Sequence, residues 1–145
     1  MEILFFAAVV GYFAATVLQV VGVTLRKDAL CRVARIIFAA SFALHTGFTV
    51  WRGIAAGRIP LANQFEFASG FAWSAALLGL ILYARMKQQW LLTASMPVAF
   101  LVLSYAAFQP MEIKELMPAL RSTWFALHIG SATFSYAAFA ISGGL

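Results

Sequence analysis

Two histidines and a few arginines are the side chains here with the most chemistry to offer. His128 lies in LRSTWFALHIG, Leu120 to Gly130, behind Arg121 and Trp124. At about 100° per residue, Arg121, Trp124, His128, Ser131, Ser135, Ala138 and Ser142 fall on one helical stripe, with Phe125, Ile129 and Tyr136 opposite. A helix capped near Ser122 would set His128 roughly 9 Å along the axis. An ionisable group at that depth in an apolar helix is costly and commonly marks a ligand or an ion pathway. Serines and small residues on one face are also the usual medium of helix packing in membranes. A neutral imidazole there either holds a metal or bridges helices through hydrogen bonds.

His45 poses the same alternative, because Ser41, His45, Thr49 and Arg52 share one face of an earlier helix. Arg52, Arg58 and Arg121 stand toward one end of their segments. Guanidinium forks pair bidentately with carboxylates, and a haem offers two propionates to such forks and an iron to histidine. The ordinary alternative for each arginine is an anchor that snorkels to the membrane interface. In GRIPLANQFEFASGFAW, Gly57 to Trp73, Pro60 and Asn63 delay the next helix and Glu66 sits at its lip. That carboxylate needs a partner, which Arg58 or Arg52 would provide, and Asn63 can cap free backbone groups in the turn. Trp51, Trp90 and Trp124 stand near span ends, as in an aromatic belt. Trp73 lies deeper and reads as packing, and Tyr12, Thr16 and Gln19 read as interhelical glue.

These residues sit in a chain of 145 residues that is 63% hydrophobic and 10% charged. Such a composition belongs to a membrane protein, so the +5 net charge reports topology before any nucleic-acid partner. One cysteine, Cys31, excludes an intrachain disulfide framework. No CxxCH occurs, so the chain cannot attach haem to itself, and its scattered histidines and cysteine do not make a structural zinc site. The N-terminus lacks the basic start and cleavage pattern of a signal peptide, and reads as a retained span.

The fold class expected is all-α: a polytopic transmembrane helix bundle forming a single membrane domain over residues 1–145. About five spans are predicted, near Ile3–Leu25, Ile36–Trp51, Phe67–Ala84, Trp90–Phe108 and Ser122–Leu145. Arg26, Lys27, Arg32, Arg35, Arg85 and Lys87 gather on one side against Asp28 alone. Positive-inside weighting makes that side cytoplasmic and puts the N-terminus outside. The two outer loops, WRGIAAGRIPLANQFEF and QPMEIKELMPALRST, mix proline, charge and apolar residues, and are expected to fold back on the bundle as interfacial segments.

GRIPLANQFEF resembles the G-x-x-P-L-x-N-x-Y-E segment of cytochrome c assembly proteins of the CcsA/ResC type. LMPALRSTWFALHIGSATFSYAAFA is similar to the same family's later L-x-P-x-L-x-S-x-W-x-x-x-H segment. The two motifs occur in family order, and the likeness covers most of the chain from about His45 onward. Phe65 and Phe67 replace the family's usual tyrosine and serine. The family's tryptophan-rich W-G-x-x-W-x-W-D motif and later histidines are absent, so the chain is expected to be an N-terminal portion of a longer protein.

The resemblance implies the haem-handling membrane component of system II cytochrome c maturation, in a bacterial inner membrane. It would present haem b at the external face to apocytochrome c carrying CxxCH. It would act within a cytochrome c synthase, beside a partner subunit of the CcsB/ResB type. On the resemblance His128 is an axial ligand of the haem iron, with Trp124 and Arg121 at the same site. His45, Arg58 and Glu66 are further candidates, and no catalytic residue is assigned. The reading from another class is an accessory helix bundle without a ligand. Half of a small-solute transporter is a weaker option, because no paired broken helices occur.

Overall fold

The computed structural model describes residues 2–113, 115, 118 and 122–144. Five α-helices carry the chain: α1 Glu2–Thr24, α2 Asp28–Ala56, α3 Gln64–Met86, α4 Gln89–Ala107 and α5 Thr123–Gly143. All five are long and apolar enough to cross a membrane. No strand occurs among the described residues, so the expected all-helical class holds.

Four helices match the predicted spans to within about three residues at each end. The exception is α2, which starts at Asp28 rather than Ile36 and ends at Ala56 rather than Trp51. Helical hydrogen bonding outlasts the apolar stretch at both ends, so Arg32 and Arg35 lie in the helix instead of the first loop. Gly57 then stops α2 in the left-handed region, at φ 62°, which glycine enters without the clash a Cβ would cause.

Packing pairs α1 with α2 and α3 with α4; α1 also meets α4, and α5 leans mainly on α3. Small residues permit the closest approaches. A Cβ on Gly11 would stand 1.9 Å from Ser41 Oγ, and one on Gly79 would stand 2.1 Å from Ser95 Oγ. This is the small-residue contact by which membrane helices bring their backbones together. The distribution of side chains suits lipid as the solvent: Ile3, Val10, Ile54, Leu101 and Phe139 face outward. Gln19, His45, Arg52, Glu66, Ser69 and Ser95 are buried instead.

The loop at 57–63 and the connector that leaves α4 share one end of the bundle, where hydrogen bonds join them. Met111 packs against the core, so the start of the connector, as far as Glu112, lies against the helices; Lys114, Leu116, Met117 and residues 119–121 of that segment lie outside the described residues. The basic residues from Arg26 to Arg35, with Arg85 and Lys87, gather at the opposite end.

Candidate functional site

At the loop end, Glu66 is 1% exposed and gathers two arginines. Arg52 Nε donates to Glu66 Oε1 at 3.1 Å. Arg58 donates twice, from Nη1 to Oε2 at 2.7 Å and from Nη2 to Oε1 at 3.3 Å. The Ala62 amide also donates to Oε2 at 2.8 Å. Asn63 caps α3, its Oδ1 accepting from the Glu66 amide at 2.8 Å. Arg52, itself 4% exposed, sends its other two nitrogens to the carbonyls of Met111 at 2.8 Å and Glu112 at 3.3 Å. Its guanidinium also lies over the Phe65 ring, 4.6 Å from the centroid. The partners expected for Glu66 are therefore both present. Each nitrogen of the Arg52 guanidinium donates to the protein, and Arg58 makes a fork to Glu66.

One helical turn further along α3, Ser69 Oγ lies 2.9 Å from His45 Nε2. The other ring nitrogen of His45 lies 3.3 Å from the Tyr12 hydroxyl. His45 is fully buried, and this pair of bonds joins α1, α2 and α3. Tyr12 and Gln19 act as the interhelical glue expected of them, Gln19 Nε2 donating to Thr93 Oγ1 at 3.1 Å. Trp73 also packs as expected, its Nε1 donating to Thr46 Oγ1 at 2.9 Å.

His128 is placed differently. Ser122 caps α5, accepting from the Phe125 amide at 3.1 Å. The buried residues of α5 are Thr133, Ala137 and Ile141, which turn toward the bundle. Trp124, His128, Ser131, Ser135, Ala138 and Ser142 are all exposed. The stripe read from the sequence is thus the outward face of the helix. Tyr136, on the side opposite that stripe, is 54% exposed, and its ring meets those of Phe67 and Phe71. Ser131 and Ser135 bond to carbonyls of their own helix. Among the described residues nothing is bonded to the His128 ring. Arg121, the third member of this candidate group, lies outside the described residues.

Arg52, Arg58 and Glu66 therefore converge on one another, His45 is enclosed among α1, α2 and α3, and His128 stands on the open side of α5. No group of three His, Cys, Asp or Glu side chains suited to a metal ion occurs among the described residues. Any metal held at His128 would therefore need its other ligands from elsewhere. Trp124 precedes His128 by about one helical turn, so an exposed indole and an exposed imidazole share that face. Sequence reasoning missed Ser69 and the carbonyls of Met111 and Glu112. Ser69 was findable, being three residues from Glu66 on the same helical face.

A family model described as Cytochrome C assembly protein matches residues 61–145. The chain is also similar to proteins named cytochrome c biogenesis protein CcsA. The one from Marchantia polymorpha is 35% identical over 95 residues, covering 63% of this chain and 30% of the relative. That from Phalaenopsis aphrodite subsp. formosana is 33% identical over 103 residues, 68% of this chain and 32% of the relative. That from Synechococcus sp. (strain RCC307) is 27% identical over 116 residues, 77% of this chain and 37% of the relative. The chain spans about a third of the length of these relatives.

Proposed function

Because this chain belongs to the cytochrome c assembly protein family, we propose that it handles haem during cytochrome c maturation, with His128 as an axial ligand of the iron. The observation that carries this reading is the contrast between the two histidines. Both ring nitrogens of His45 are engaged inside the bundle, whereas the ring of His128 is exposed beside Trp124 with no bonded partner among the described residues. The reading of the histidines as helix bridges, natural to a ligand-free accessory bundle, is supported for His45 alone.

The substrate is haem b, presented to an apocytochrome c bearing CxxCH. The reaction adds each thiol S–H across a haem vinyl group: sulfur bonds to one vinyl carbon and hydrogen goes to the other, with no net redox change. This chain contributes position. His128 holds the iron, Trp124 offers a flat apolar wall, and Arg121 is the cation available to a propionate. Arg58 and Glu66 support the site through the clasp at the loop end. The second axial ligand and a partner of the CcsB/ResB type come from outside this chain. The membrane is the bacterial cytoplasmic membrane, with the N-terminus, both clasped loops and His128 at the external face. The charge asymmetry between the two ends supports that orientation.

His128→Ala in the intact protein tests the reading. The Soret band of bound haem should vanish or return only with added imidazole. An unchanged spectrum with normal cytochrome c yield would refute the assignment.

A further inference from the structure

Three helices meet around an apolar gap on the far side of α5 from His128. α2 and α5 both lean on α3 rather than on each other. Between them a cavity of about 180 Å³ reaches Thr49 on α2, Gly70 and Trp73 on α3, and Gly130 and Phe134 on α5. Ile59, Pro60 and Leu61 close it toward the loop end. The Trp73 and Phe134 rings meet edge to face, 6.3 Å between centroids, and form one wall. On α5, Gly130, Thr133 and Phe134 lie roughly 140–240° around the helix from His128, so the cavity is separate from the face proposed for haem.

Its depth sets what can reach it. Gly70 and Gly130 lie six and seven residues from the starts of α3 and α5, and Thr49 lies seven from the end of α2. At about 1.5 Å per residue, all three stand roughly 10 Å from the loop-end termini of their helices. These helices are long and apolar enough to cross a membrane. The hydrocarbon core of a bilayer is about 30 Å thick, so this is acyl-chain depth in the leaflet at the loop end. With the loop above and α3 behind, the open side of the cavity lies between α2 and α5, toward that leaflet.

Water is a poor occupant. The Thr49 and Thr133 hydroxyls donate to carbonyls of their own helices at 2.9 and 2.8 Å, and Trp73 Nε1 donates to Thr46. Ser74 carries the one further hydroxyl of the described lining, and a buried water takes about three polar partners. An empty cavity is costly as well, because its walls forfeit dispersion contacts. An apolar cavity of about 150 Å³ already holds a benzene ring, so this one has room for a length of alkyl chain. Gly130 keeps the space clear: a Cβ built there meets no atom within 4 Å.

We propose that this cleft is a lipid site, which takes an acyl chain of a phospholipid from the leaflet at the loop end and seats it between α2 and α5 against Trp73. The apolar lining, the depth and the lateral opening together select that occupant from the medium around the helices. The site does not depend on haem binding by His128.

The test uses the intact protein in phosphatidylcholine bilayers, a small fraction of the lipid carrying a photoactivatable diazirine midway along one acyl chain. After irradiation, mass spectrometry of peptides locates the adducts. Adducts from Gly70 to Ser74 and from Gly130 to Phe134 should exceed those at Val10 and Leu101, which face outward. Gly130→Leu fills the cavity from within and should remove the lining adducts while leaving those at Val10 and Leu101 unchanged. Gly130→Ala adds only a methyl group that meets no neighbour, so it keeps the fold and should lower the lining adducts partway. Equal labelling of lining and outward residues in the wild type would mark ordinary boundary lipid and overturn the proposal. So would an unlabelled lining, the result if a further segment of the protein or a second copy covers the cleft. Lining adducts that persist undiminished in both Gly130 variants would overturn it too.

Discussion

His45 Nε2 and Ser69 Oγ stand 2.9 Å apart in the buried centre of the bundle, closing a chain of contacts that begins at the Tyr12 hydroxyl. The imidazole is thereby a bridge among α1, α2 and α3, and neither nitrogen is left for an iron. Replacing His45 with leucine should cost about 1–2 kcal/mol of stability, the scale of interhelical hydrogen bonds in membranes together with the unpaired hydroxyls left behind. The axial-ligand signature of bound haem should not move. Thermal unfolding in detergent and the haem spectrum together check both halves of this expectation.

Glu66 carries a heavier electrostatic duty. Glu66→Gln leaves Arg52 and Arg58 facing each other in a buried cluster with no carboxylate. Removing one partner of a buried ion pair costs about 3–5 kcal/mol, so folded protein in membranes should fall sharply. Arg58→Ala leaves the Arg52–Glu66 pair balanced, and the Arg58 side chain is partly accessible, so the loss should be smaller. Comparing the amounts of folded protein in the two variants tests the ranking; equal losses would contradict it.

Gly79 and Ser95 make a steric prediction. A Cβ on Gly79 meets Ser95 Oγ and Cβ at 2.1 and 2.5 Å, closer than packed atoms allow. Gly79→Ala should destabilise the α3–α4 contact by about 1–3 kcal/mol. Ser95→Gly should recover most of that loss, so the double variant measured against each single one is the check.

The cap of α5 gives a milder prediction. Ser122→Ala removes the acceptor for the Phe125 amide, worth about 1 kcal/mol. Hydrogen exchange should quicken over the first turn of α5 and stay unchanged in α3.

The five spans were legible because each apolar stretch is close to bilayer length, and the caps at Asn63 and Ser122 because their chemistry is local. The ends of α2 were not, since helical hydrogen bonding continues through residues that hydropathy assigns to water. Periodicity placed Trp124, His128 and Ser131 on one stripe but gave no sign to its direction. A stripe of small polar residues can pack inward or face out, and here Thr133, Ala137 and Ile141 took the inward side. Partners for Glu66 were foreseeable from charge alone. The grip of Arg52 on Met111 and Glu112 was not, because it spans some sixty residues and depends on how α2 is rotated against the α4–α5 connector.

The most direct measurement of the central claim is the reduced-haem absorption spectrum of intact His128→Ala protein, recorded with and without imidazole. The account predicts loss of the wild-type Soret band and its return on adding imidazole. A wild-type spectrum in the variant without imidazole would contradict it.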